Sequence, residues 1–165
     1  MRVEGGRATA AADAFTTVAD DAELPESGGA IVTLTRFIRD RESLLARNAP
    51  IGVRLKSDET PEGLGPDLAR LSVVAIEFPK FADGRGFSWA RMLRTRLGYT
   101  GELRAVGDYI FDQLAYLVRV GFDSFDPTHP LTADDLNRAL SEMTHVYQPS
   151  TDGKKTIREL RAGKK

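Results

Sequence analysis

Polar side chains cluster in the chain where a short apolar segment gives way to a helical pattern. The first such stretch, KFADGRGF, contains Lys80, Asp83 and Arg85, and Ser88 follows it directly. Its two glycines permit tight or left-handed turns, and a helix capped by Ser88 would present free N–H groups that hold anions. With two cations nearby, the stretch suits a phosphate, a sulfite or a carboxylate. The alternative is a surface turn followed by an ordinary helix cap.

A second polar cluster, Arg104, Asp108 and Gln113, follows the next apolar segment. Asp108 can be a helix cap, a partner of Arg104 in a structural ion pair, or a catalytic carboxylate. In parallel α/β folds the loops that leave the carboxyl ends of the strands meet at one edge, where ligands bind. We therefore expect both clusters to share that edge. The candidate site for an anion or other ligand comprises Lys80, Asp83, Arg85, Ser88, Arg104, Asp108 and Gln113.

The sequence lacks the residues that several kinds of chemistry require. The chain has no cysteine, which excludes disulfides, thiolate nucleophiles and cysteine-ligated metals. Its two histidines, His129 and His145, are too far apart in sequence for a metal-binding pattern, so we expect no metal site. Neither a phosphate-binding P-loop nor a dinucleotide fingerprint is present, and we expect no cofactor. The sequence leaves open whether the protein is an enzyme.

Composition describes an ordinary globular protein. The 165 residues carry 23 basic and 24 acidic side chains, and 41% of them are hydrophobic, which suits one domain with a real core. A net charge of −1 provides no general attraction for nucleic acid, so we expect no nucleic-acid partner. No apolar run is long enough to span a membrane, and the N-terminus is not a secretory signal. We expect a cytoplasmic protein.

The elements that would position these residues are repeated βα units. Strands are predicted to begin near residues 30, 51, 72, 102 and 122, and helical patterns follow them. Such units form a mostly parallel sheet, here of about four to five strands flanked by helices. Both a half-barrel-like sheet and an open doubly wound sheet satisfy the pattern. A small parallel sheet exposes its edges, and a homo-oligomer would protect them.

Domain organisation follows from the same reading. Residues 1–29 are predicted to be a flexible arm with a short strand around 14–18, residues 30–148 a single α/β domain, and residues 149–165 a flexible basic tail. Ser88 is expected to cap a helix whose arginines, Arg91, Arg94 and Arg96, lie on a solvated face or dock an acidic partner.

The segment from Phe78 to Phe125, FPKFADGRGFSWARMLRTRLGYTGELRAVGDYIFDQLAYLVRVGFDSF, resembles a bacterial family known as domain of unknown function 934. The resemblance extends more loosely over about residues 31–148. Members are often encoded beside the sulfite reductase hemoprotein and other genes of assimilatory sulfate reduction, and some carry an oxidoreductase label.

The resemblance implies an accessory protein of sulfite reduction that contacts sulfite reductase or its electron donor. The alternative is a small enzyme or ligand-binding domain that recognises a small anion at the strand edge described above.

Overall fold

The computed structural model describes residues 1–163. It contains eight strands, six α-helices and one long 3-10 helix. The strands are β1 (Arg2–Glu4), β2 (Arg7–Thr9), β3 (Phe15–Thr17), β4 (Gly29–Thr33), β5 (Ile51–Leu55), β6 (Val73–Phe78), β7 (Glu102–Gly107) and β8 (Ser124–Pro127). The helices are α1 (Leu34–Arg39), α2 (Arg41–Leu45), the 3-10 helix (Pro61–Arg70), α3 (Arg85–Thr95), α4 (Phe111–Arg119), α5 (Ala133–Glu142) and α6 (Ile157–Ala162).

All eight strands form one sheet in the order β2-β1-β8-β7-β6-β5-β4-β3. Strands β3 to β8 are parallel, and each lies beside the next in sequence. This order is that of a half-barrel, because a doubly wound sheet reverses its strand order at a switch point. β1 runs antiparallel to both β8 and β2. The expected sheet of four to five mostly parallel strands was therefore too small, and it lacked the antiparallel edge.

The N-terminal segment requires the sheet to curl. A flat sheet of eight strands would hold its outer strands roughly 30 Å apart or more, since neighbouring strands are about 4.8 Å apart. The stretch from Thr9 to Phe15 connects those two outer strands, and it can span only about 20 Å when fully extended. The curl brings Phe15 of β3 to 5.8 Å from the guanidinium of Arg104 on β7. The sheet therefore has a concave inner face and a convex face covered by helices.

The convex face of the sheet holds most of the apolar core. Strand β6 is buried on both faces, and its last residue, Phe78, packs against Phe87, Tyr109 and Phe122 with ring centroids 5.6 to 5.9 Å apart. Gly107 ends β7 with φ of 109°, and a Cβ there would lie 2.4 Å from the carbonyl oxygen of Phe78. Only glycine therefore fits where β7 turns into the loop before α4.

The predicted flexible ends contain regular structure. Residues 1–29 include β1, β2 and β3, of which only the third had been expected. Backbone hydrogen bonds to a neighbouring strand hold such three-residue strands in place. They therefore form without the alternation of apolar and polar residues that would reveal a strand in the sequence. The tail folds back, because Asp152 forms an ion pair with Arg119 and the capping box of Thr156 and Glu159 opens α6. Residues 164 and 165 of the predicted tail lie outside the described residues.

Within residues 1–163, no helix combines the length and the apolar content needed to cross a bilayer.

Candidate functional site

One side-chain amide joins two exposed apolar residues at the carboxyl edge of the sheet. Gln113, in the first turn of α4, donates a hydrogen bond from Nε2 to the carbonyl oxygen of Phe81 (2.8 Å) and accepts one at Oε1 from the N–H of Ile110 (3.2 Å). The side chains of Phe81 and Ile110 remain 54% and 38% exposed. Gln113 therefore links the loop after β6 to the start of α4 and leaves an apolar pair facing solvent. We call Phe81 and Ile110 the apolar pair.

Asp108 links three loops at the same edge. Its backbone N–H donates to the carbonyl oxygen of Phe78 (2.7 Å), which extends the pairing of β6 with β7. Its carboxylate accepts the N–H of Phe81 at Oδ2 (3.3 Å) and lies 3.0 Å from Nε2 of His129 through Oδ1. The carboxylate of Asp108 thus connects the loops that follow β6, β7 and β8. Asp108 was expected at this edge, whereas its contact with His129 was not.

The side chains of Arg85 and Asp83 form an ion pair with each other. The guanidinium donates from Nε (3.0 Å) and Nη2 (2.7 Å) to the two carboxylate oxygens of Asp83, and Nη2 also donates to Oγ of Ser57 (2.9 Å). The Arg85 guanidinium holds the pKa of Asp83 well below its ordinary value of 3.8. An anion at this edge would have to compete with Asp83. Ser57 is buried and accepts the Trp89 indole N–H at its carbonyl oxygen (3.0 Å), a role outside the predicted site.

One of the expected residues, Ser88, does not occupy its predicted position. Helix α3 begins at Arg85 with Gly84 as its N-cap, so Ser88 is an exposed residue inside the helix and not its cap. Gly86, in the first turn of this helix, packs directly against the ring of Phe78, where a Cβ would lie 2.5 Å away. Lys80 is exposed beside Phe81.

Arg104 lies away from this edge, contrary to expectation. It occupies the middle of β7, in register with Ala75 of β6 and Ser124 of β8. Successive strand residues point to opposite faces, and the side chain of Arg104 extends into the concave face while Leu103 and Ala105 enter the core. The structure therefore places Lys80, Asp83, Arg85, Asp108 and Gln113 along one edge and separates Arg104 from them.

The concave face holds a second polar cluster around Arg104. The side chain of Arg104 is only 9% exposed, and its guanidinium donates to both oxygens of Asp13 (2.7 and 3.0 Å) and to Oε1 of Glu102 (2.8 and 3.0 Å). Glu102 also accepts from Oγ of Ser124 (2.6 Å) and from the guanidinium of Arg2. A cavity of about 210 Å³ adjoins this cluster.

The electrostatics of this cluster keep both carboxylates ionised. Burial by itself raises the pKa of Glu102, but hydrogen bonds from Ser124 and Arg104 outweigh it and lower the pKa below the ordinary 4.5. Burial also raises the pKa of Asp13, but hydrogen bonds from Arg104 and from the Phe15 N–H outweigh burial and lower the pKa overall. The alternation of Glu102 and Arg104 with the apolar Leu103 and Ala105 was the sequence signal for this polar face.

Among residues 1–163, no three or more histidine and carboxylate side chains come together in a way that could hold a metal ion.

Comparison with known proteins identifies a family. Residues 52–158 match the family described as "Bacterial protein of unknown function (DUF934)". The matched range contains β6 to β8, α3 to α5 and all of β5 except Ile51, and therefore includes the apolar pair and the edge residues from Lys80 to Gln113. A search of curated proteins gave no match. Since the match covers more than half of the chain, this protein is a member of the bacterial DUF934 family.

Proposed function

We propose that this protein is a cytoplasmic accessory protein of assimilatory sulfate or sulfite reduction, and that it acts by binding sulfite reductase or its electron donor. The match to the DUF934 family supports the pathway only through the gene neighbourhood that the resemblance implies, in which the sulfite reductase gene lies nearby. The apolar pair at the carboxyl edge of the sheet supports the mode of action.

The apolar pair has the properties of a binding hot spot. Phe81 lies in a loop, yet its backbone N–H and carbonyl group are both held, by Asp108 and by Gln113. A loop that is ordered before binding loses less conformational entropy when a partner docks. Large aromatic and aliphatic side chains at the centre of an interface contribute most of its binding energy. The edge therefore presents a preformed apolar contact to a partner.

The charges beside the apolar pair indicate what the partner must provide. Asp83 and Arg85 neutralise each other, whereas Lys80 is exposed next to Phe81. A complementary surface would contain an apolar pocket for Phe81 and a carboxylate within reach of Lys80. Internally paired charges at this edge favour partner binding over the capture of a small anion.

A binding titration with the purified sulfite reductase hemoprotein and, separately, with its electron donor tests this proposal. We expect the wild-type protein to bind one of them, and Phe81→Ser and Ile110→Ser to weaken the complex by about tenfold or more. Tyr147→Ser is the control, because Tyr147 is 82% exposed but lies between α5 and α6. Absence of binding to either protein, or equal losses in all three variants, would contradict the proposal.

Growth experiments test the pathway independently of the interface. We expect deletion of the gene to impair growth on sulfate and sulfite as sole sulfur sources and to leave growth on sulfide intact. Equal growth of the deletion strain and its parent on all three sources would separate the protein from sulfur metabolism.

A second proposal is a small enzyme or ligand-binding domain that takes an anion at the carboxyl edge. Its support is the position of Arg85, whose side chain is 53% exposed and already contacts a carboxylate and a hydroxyl group. Arg85→Ala should then abolish complementation of the deletion strain while Arg91→Ala should complement fully. Full complementation by both variants would reject this second function.

A further inference from the structure

The concave face of the sheet contains a cavity that neither proposed function uses. Its volume is about 210 Å³, and it lies between β7, β8 and the segment from Ala10 to Ala14, which crosses from β2 to β3. Ala11, Ala12, Phe15 and Phe125 provide the apolar part of the lining, and the polar part comes from Arg2, Asp13, Glu102, Arg104, Ser124 and Asp126. Among these polar groups Arg104 is a buried cation, and a guanidinium beside apolar side chains is suited to a small anion that has a carbon skeleton.

Two carboxylates contact the Arg104 guanidinium, and they are held very differently. Glu102 belongs to β7, its side chain is 9% exposed, and Ser124 and Arg2 bind it from two further sides. Asp13 belongs to a non-strand segment, and its side chain is 49% exposed. Glu102 is therefore a fixed part of the sheet, whereas Asp13 can leave without breaking a strand.

The segment that carries Asp13 has little else to hold it. Residues 10–14 are all exposed. Their backbone contributes one hydrogen bond to the sheet, in which Gly29 N–H donates to the carbonyl oxygen of Ala14 (3.0 Å). Segments with few buried apolar contacts open at low free-energy cost. The bidentate contact of Asp13 with Arg104 is thus the main tie of this segment across the concave face.

We propose that Arg104 and the adjacent cavity form a binding site for a small carboxylate, and that Asp13 occupies this site as an internal substitute until an external carboxylate displaces it. The geometry supports a carboxylate because Asp13 already receives two parallel N–H bonds of 2.7 and 3.0 Å from Arg104, the arrangement that matches a planar carboxylate. The cavity has room for about seven water molecules at about 30 Å³ each, which is enough for a carboxylate of about four carbons.

This site is separate from the partner surface of the proposed function. The apolar pair lies at the carboxyl edge of β6 and β7, while Arg104 lies on the inner face of β7. If Phe81→Ser did not affect partner binding, that result would count against the proposed function and not against the carboxylate site. Different variants test the two proposals.

Isothermal titration of the full chain with succinate, at constant ionic strength maintained with chloride, tests the proposal. Asp13→Ala removes the internal competitor, so we expect it to bind succinate at least about tenfold more tightly than the wild-type protein, since a tethered group acts at roughly millimolar effective concentration. Asp13→Ala combined with Arg104→Lys is the control. Lysine keeps the charge but lacks the planar fork, so we expect this double variant to lose the gain.

Two results would overturn the proposal. One is an Asp13→Ala protein that binds succinate no more tightly than the wild type, and the other is an equal affinity in the double variant. Where Asp13→Ala does not fold, Asp13→Asn replaces it, because the amide oxygen can still accept the Phe15 N–H that Asp13 accepts at 3.0 Å. The same titration and the same two overturning results then apply to Asp13→Asn.

Discussion

The side-chain amide of Asn137 pairs with both backbone polar groups of Ala8. The Ala8 N–H donates to Oδ1 (2.8 Å), and Nδ2 donates to the Ala8 carbonyl oxygen (3.0 Å), across 129 residues of sequence. Ala8 lies on β2, the outer strand of the sheet, and its register partner Val3 donates its own N–H to Asp123 on the opposite side. Asn137 therefore takes the place of a neighbouring strand and covers an edge that would otherwise be open.

Removing this amide should destabilise the protein and expose the edge. We expect Asn137→Ala to lower the free energy of unfolding by about 1–3 kcal/mol, because Ala8 would be left with two unsatisfied backbone groups. Ser141→Ala, on the same helix, is the control and should change it by less than about 0.5 kcal/mol. Urea denaturation measures both, and light scattering should detect self-association of Asn137→Ala alone. Equal midpoints for the two variants would show that the edge does not need Asn137.

Two glycines near α3 and α4 should differ in how much stability they lose on substitution by alanine. Gly107 has φ of 109° and a Cβ there would meet the backbone of Phe78, so Gly107→Ala should cost more than about 1 kcal/mol of stability. Gly84 has φ of −83° and open space around its Cβ position, so Gly84→Ala meets no steric clash and should cost less than about 1 kcal/mol, the difference between glycine and alanine as an N-cap. Thermal unfolding of the two variants tests this pair. A tolerated Gly107→Ala would mean that β7 can end in another conformation.

Arg94 should be far more sensitive to substitution than Arg91. The Arg94 guanidinium donates to the carbonyl oxygens of Tyr99, Gly101 and Gly121 and to the carboxylate of Asp123 (2.7 Å), whereas Arg91 is exposed. Arg94→Lys loses most of these bonds and should lower the free energy of unfolding by about 2 kcal/mol or more. Arg91→Lys should have almost no effect in the same denaturation assay. Similar losses for both would reject a structural role specific to Arg94.

The acid sensitivity of the protein should depend on Glu102. Its folded-state pKa lies below 4.5, so the unfolded chain binds more protons, and the stability that Glu102 contributes is lost as pH falls below about 4.5. Burial raises the pKa of Asp123 above 3.8, which gives the opposite sign: the stability that protonated Asp123 contributes is lost as pH rises from 3.8 through the raised pKa. Stability measured from about pH 3 to pH 7 should therefore fall less steeply toward acid in Glu102→Gln. An unchanged slope would contradict this assignment.

Several elements were readable from local sequence. The apolar segments at β4 to β8 and the helices between them were predicted within a few residues, because burial on one or both faces imposes a short apolar period. The capping box of Thr132 and Asp135 at the start of α5 is readable in the same way, because the threonine and the acidic residue three positions later form a local signature. Gln113 and Asp108 were expected at the carboxyl edge, and both lie there.

The prediction that Arg91, Arg94 and Arg96 lie on a solvated helix face was only partly correct. Arg91 and Arg96 are exposed as expected. Arg94 turns toward the loops after α3 and before β8, because their carbonyl groups need a donor that no nearby backbone supplies. Periodicity places a residue on one side of a helix, but it does not show which loops will pass over that side.

The sequence by itself determined the βα units and their parallel arrangement, since each depends on patterns within about thirty residues, and it determined the family through the longer match over residues 52–158. Only the tertiary structure decided the curl of the sheet, the use of residues 1–29 as three of its strands, and the placement of Arg104 on the concave face. The contacts that decide these features, Arg104 with Asp13 and Asn137 with Ala8, join residues 91 and 129 positions apart. Local composition cannot encode such pairs, because they form only when the whole sheet has brought its two ends together.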